Sequence, residues 1–68
     1  MSRLHDTQRR YVVVSEYDDG TKLSRLMTGR AYAIELAEAI ALRKSRVPLL
    51  RVSVIDYVTG ESVFDCEA

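Results

Sequence analysis

Residues 28–46 read TGRAYAIELAEAIALRKSR, and this stretch decides the fold. It is the only segment long enough and rich enough in Ala, Leu, Glu and Arg to make a sturdy helix. Thr28 stands where a hydroxyl caps the first turn by accepting a bond from an orphaned backbone N–H. Ala31, three residues on, leaves the capping box incomplete. Arg43, Lys44 and Arg46 fall in the expected last turn, where cations suit the negative end of the helix dipole. Pro48 forbids continuation and turns Val47 toward an extended conformation.

At about 100° per residue, Tyr32, Leu36 and Ile40 share one helix face, with Ala33 and Ala37 beside them. The small alanines predict a helix that sits close to a sheet. Glu35, Glu38, Arg46 and Leu42 lie opposite, and Ile34 and Ala41 form a flank. Leu42 and Ile34 do not fit a single-sided core. They read either as scattered surface apolars or as a second contact surface for a partner.

On each side of this segment lie two runs of β-formers. Arg10 to Tyr17 (RYVVVSEY) is β-branched and aromatic, and its three valines predict that both faces are at least partly covered. Asp18-Asp19-Gly20 is a turn signal, and Thr21 to Met27 is a return strand whose Lys22, Ser24 and Arg25 suit an exposed edge. Leu49 to Val58 is the next strand, with Leu50, Val52 and Val54 alternating with Arg51 and Ser53. Thr59-Gly60 turns the chain into a last strand from Glu61 to Cys66.

The predicted class is therefore α+β, one domain over 1–68, with the polar residues 1–8 as a frayed tail. The order is β-β-α-β-β. The two most apolar strands, first and third, belong in the centre, which predicts an antiparallel sheet of order 2-1-3-4 with a single helix packed on one face.

One helix covers one face of a sheet, so the other face meets solvent or a partner. Tyr11-Val12-Val13-Val14 is apolar in both registers, so the run alone leaves the facing set open. With Val12, Val14, Leu50, Val52 and Val54 toward the helix, the open face would carry Tyr11, Val13, Ser15 and Tyr17, with Arg51, Ser53, Ile55 and Tyr57.

The chain has 68 residues, ten basic and ten acidic, and no net charge. A chain this short buries only about 60% of its unfolded surface, and oligomerisation is a common remedy. Bases gather between Lys22 and Arg51, where the acids are Glu35 and Glu38. After Arg51 the charged residues are Asp56, Glu61, Asp65 and Glu67. The single cysteine, Cys66, excludes an internal disulfide and points to a reducing compartment. The first residues lack the apolar core of a signal peptide and no run suits a membrane span, so the expected location is cytoplasmic.

No arrangement of residues points to catalysis. His5 has no second histidine near it, which argues against zinc, and no catalytic, metal or cofactor site is expected. Glu16, Asp18 and Asp19 lie near one turn and Asp56 and Glu61 near the other, which would gather acids if both turns shared one end of the sheet. Their spacing lacks a cation-loop pattern. Thr28-Gly29-Arg30 would suit an anion at a helix start, but capping alone accounts for it.

The layout resembles, in size and architecture only, many tiny stand-alone proteins, including several encoded by phages and mobile elements. Some of those plug a binding surface on a host or defence complex, and no residue here maps onto a family's active positions. The expected function is that of a non-enzymatic protein–protein interaction module, homodimeric, serving as an inhibitor or adaptor of a larger complex. Its expected contacts are Tyr11, Val13, Ile55 and Tyr57 on the sheet, Ile34 and Leu42 on the helix, and the bases Arg43, Lys44, Arg46 and Arg51. The rival reading is a single-stranded RNA or DNA binder that stacks bases on Tyr11 and Tyr57 beside Arg51.

Overall fold

The computed structural model describes residues 9–44 and 46–67. The expected tail, His5 included, lies outside the described residues. Four strands, β1 (Arg10–Tyr17), β2 (Lys22–Thr28), β3 (Leu49–Asp56) and β4 (Ser62–Glu67), form one antiparallel sheet in the order β2-β1-β3-β4. The helix α1 (Arg30–Leu42) packs on one side of it, mainly across β1 and β3. This is the predicted α+β arrangement and strand order.

The first hairpin closes through a tight turn. The Gly20 N–H donates to the Tyr17 carbonyl at 3.0 Å and the Tyr17 N–H to the Thr21 carbonyl at 2.9 Å. Gly20 takes φ 88°, a conformation that costs a side chain dearly, while Asp19 Oδ1 accepts the Thr21 N–H at 2.9 Å. The connection after the helix is tied to the same turn, because the Asp18 N–H donates to the Pro48 carbonyl at 2.8 Å.

The helix is shorter than the sequence suggests, and its start differs. Thr28 remains in β2 paired with Arg10, so its hydroxyl is not the cap. The N-cap is Gly29, without a side-chain cap bond. Its N–H donates to the Arg9 carbonyl at 2.8 Å and its carbonyl accepts the Ala33 N–H at 3.0 Å. Gly29 thus completes the β1–β2 pairing and opens the helix at once, with φ 98° and ψ 124°. At the other end Arg43 is extended, so Arg43, Lys44 and Arg46 follow the helix instead of filling its last turn.

The core lies where α1 meets the central strands. Ala33 and Ala37 are fully buried against Tyr11, Val13, Val52 and Val54. Ile34, Leu36, Ile40 and Ala41 are partly buried around them, as are Leu49, Phe64 and Cys66 from the sheet. Ala33 and Ala37 are the helix residues that the sheet covers completely. Tyr32 is exposed beside this face rather than part of it.

The first strand reverses the expected facing. Tyr11, Val13 and Ser15 point under the helix, and Val12 and Val14 take the open face. The reason is visible in the charges. Arg10 and Glu16 share the parity of Val12 and Val14, whereas Tyr11, Val13, Ser15 and Tyr17 carry no charge. Burying the even set would drag Glu16 toward the core without a partner. On β3 the expected inward pair Val52 and Val54 is buried, but Leu50 is exposed. A register shift between Glu16 and Tyr17 sets Leu49 opposite Tyr17 and against the core instead.

Two substitutions test this packing. Ala33→Leu should cost about 1–3 kcal/mol by overpacking the helix–sheet contact. Gly29→Ala should cost about 1–3 kcal/mol through backbone strain. Both should lower the urea midpoint without changing the far-ultraviolet dichroism at zero denaturant.

Candidate functional site

The sheet face away from α1 is built in cross-strand rows set by the register. One row is apolar: Leu26, Val12 and Ile55 stand side by side on β2, β1 and β3. The next carries Ser24, Val14, Ser53 and Asp65, and the one beyond it Lys22, Glu16, Arg51 and Glu67. Leu26 is 48% exposed, and Val12, Val14 and Ile55 are half-buried by their neighbours alone. The charged row alternates in sign across all four strands. Lys22 Nζ lies 3.1 Å from Glu16 Oε1, and Arg51 lies 3.2 Å from Asp65 Oδ1 and 2.7 Å from Glu67 Oε1. The Arg51 guanidinium is held further toward its charged form by its hydrogen bond to Glu67, with Asp65 and Glu67 adding their negative charge.

Several expected contact residues are elsewhere. Tyr11 and Val13 are each 2% exposed beneath the helix, which corrects their placement on the open face. Ile34 is half-buried against the core and belongs to it more than to a second surface. Ile55 is on the open face as expected, and Tyr57 is exposed just beyond the end of β3. Leu42 is 86% exposed at the helix end, beside exposed Arg43 and Lys44. Val12, Val14 and Leu26 are the open-face residues that the sequence reading missed, and the parity of Arg10 and Glu16 was the signal for the first two.

The side of the sheet that carries α1 is also incomplete. Because the helix lies over β1 and β3, a groove runs between it and the edge strand β2. This groove of about 290 Å³ is lined by Leu23, Arg25, Leu36, Ile40 and Arg43 among others. A hollow of about 240 Å³ shares Tyr17 and Leu23 with it and adds Arg46 and Val47.

The acids do not converge. β1 and β3 are antiparallel, so the β1–β2 turn and the β3–β4 turn lie at opposite ends of the sheet. Among the described residues no group of three or more His, Cys, Asp or Glu side chains is placed to hold a metal ion. Asp56 instead has a structural role. It is buried, and its Oδ1 accepts the Val58 N–H at 2.8 Å and the Thr59 N–H at 3.2 Å. Its Oδ2 lies 2.9 Å from Arg9 Nη2. Burial pushes the Asp56 carboxyl up, but the two N–H donors and the Arg9 charge outweigh it, and its pKa ends below the usual aspartate value.

No protein-family model, curated protein or solved structure matches the chain. No helix among the described residues is long and apolar enough to cross a membrane.

The Asp56 clasp sets a pH dependence. A carboxyl whose folded pKa is lowered adds stability that is present above its unfolded value, about 3.9, and lost as pH falls through the folded value. Asp19, lowered by its bonds with Thr21, acts in the same direction. The urea midpoint should therefore drop between about pH 5 and about pH 2. Asp56→Asn should start from a lower midpoint at neutral pH and show a shallower acid decline. Equal slopes for the two proteins would remove Asp56 as a source of the dependence.

Proposed function

We propose that this chain is a non-enzymatic protein–protein interaction module that self-associates through its open sheet face. The observation that carries the reading is the row Leu26, Val12 and Ile55, apolar across three strands on the side that α1 does not cover. Three such side chains in one row form a surface from which a second sheet can exclude water, and sheets packed face to face stand about 10 Å apart. The row of alternating charge, one row further along the same face, offers both signs to a second copy. A core centred on two alanines, a tyrosine and three valines is small, which gives association a stabilising role.

The nucleic-acid reading is weaker on the same observations. Tyr11, one of its two stacking residues, is buried, and the Arg51 guanidinium is engaged by Asp65 and Glu67. A binding role without chemistry, as adaptor or inhibitor of a larger cytoplasmic complex, is the reading proposed. It accords with the likeness in size and layout to small proteins of phages and mobile elements.

Light scattering at high micromolar concentration should give a mass near twice 7.7 kDa. Ile55→Glu places a charge in the apolar row and should return the mass to that of one chain with the fold intact. A single-chain mass for the unaltered protein would end the self-association reading.

A further inference from the structure

A second surface carries its own argument, independent of the open face. β2 is an edge strand, and the bonds at the two ends of its hairpin fix which way its backbone points. The Tyr17 N–H donates to the Thr21 carbonyl and the Gly29 N–H to the Arg9 carbonyl. Bonded and non-bonded pairs alternate along an antiparallel ladder. Leu23, Arg25 and Met27 therefore exchange bonds with Ser15, Val13 and Tyr11, and the N–H and C=O groups of Ser24 and Leu26 face outward. Among the described residues no strand pairs with that edge.

Directly above it runs the groove between β2 and α1, with an apolar lining from Leu23, Leu36 and Ile40. Arg25 and Arg43 line the same groove, and Arg46 lines the adjoining hollow together with Asp19, whose Oδ1 is taken by the Thr21 N–H. None of the ion pairs among the described residues uses these three arginines. The acids of β4, by contrast, are matched within the chain by Arg51. A groove of mixed lining, whose charged residues are the unpaired Arg25 and Arg43, beside an open backbone edge suits one kind of occupant.

We infer that the β2–α1 groove binds an extended acidic peptide segment of a partner protein, added to the sheet as a fifth strand beside β2. Its backbone pairs with Ser24 and Leu26. Apolar side chains on its inward face rest on Leu23, Leu36 and Ile40, and its carboxylates meet Arg25, Arg43 and Arg46. A nucleic-acid strand would use the arginines but has no N–H and C=O ladder to offer the edge, so the free backbone favours a peptide.

The test is fluorescence anisotropy with a labelled peptide of about ten residues, the length of a long strand, in which Glu and Val take turns at every second position with Thr between them, so that both fall on the face toward the groove. It is run on the unaltered chain and on Ile55→Glu, so that its result does not depend on the open face. Both proteins should bind it with micromolar affinity, and added salt should weaken the binding. The double variant Arg25→Glu, Arg43→Glu should weaken it at least about tenfold. A peptide with Lys in place of Glu, and one with its central residue replaced by proline, should bind at least about tenfold more weakly. Ser24→Pro, which removes an outward N–H at a position where an edge tolerates proline, should do the same without altering the dichroism spectrum.

Equal binding by the double arginine variant, or by the proline-interrupted peptide, would overturn the proposal. So would tighter binding of a single-stranded oligonucleotide than of the acidic peptide, which would assign the arginines to phosphates. Self-association that Ser24→Pro abolishes and Ile55→Glu does not would overturn it as well, by giving the edge to a second copy.

Discussion

The contact between two alanines of α1 and the valines of the central strands is what the rest of the molecule depends on. Ala33 and Ala37 have no side chain beyond Cβ, so the helix backbone comes down close over Val13, Val52 and Val54. On that side Val13, Val52 and Val54 are buried almost completely. The close seat also narrows the helix's cover. A rod seated tightly over β1 and β3 leaves the β2 edge beside it bare, and the far side of the sheet is beyond its reach altogether. Both surfaces argued to bind partners are by-products of that seat.

The two surfaces differ in chemistry because the strand register sorts the side chains. Along β1 the uncharged odd residues go inward and the even ones, Arg10 and Glu16 among them, go outward. Across the sheet the same rule assembles an apolar row and a charged row on the open face. On the other side it leaves Arg25 of β2 beyond the rim of the helix, in one groove with Arg43, while Arg46 lines the adjoining hollow. Bases that the sequence places at a helix end for the sake of its dipole thus become part of a groove instead, because the helix stops at Leu42.

Most of the architecture was legible in the sequence. Asp18-Asp19-Gly20 and Thr59-Gly60 marked the two turns, Pro48 marked the break after the helix, and the apolar content of β1 and β3 placed them in the centre. The facing of β1 was not read correctly, because hydrophobicity alone is silent on a run of one tyrosine and three valines. The information lay in the flanking charges, Arg10 and Glu16, which share the outward parity. The helix start was missed for a different reason. Thr28 is a good cap by residue type, but the β1–β2 ladder keeps it as a strand residue, and Gly29 makes the turn between the two structures. Propensity describes a residue by itself, whereas the ladder sets how far a strand runs. The groove beside β2 was not visible in the sequence at all, since it follows from where the helix lies across the sheet.

The two outer strands of the sheet are unequal, and this bears on how the molecule behaves when crowded. One margin is basic and open, while the carboxylates along the other are already gripped by Arg51 from the neighbouring strand. Had both margins been unmatched and opposite in sign, head-to-tail stacking of copies would have been favoured, and such contacts propagate into endless ribbons because no symmetry closes them. By neutralising the acidic margin internally, Arg51 weakens the attraction that would start such growth.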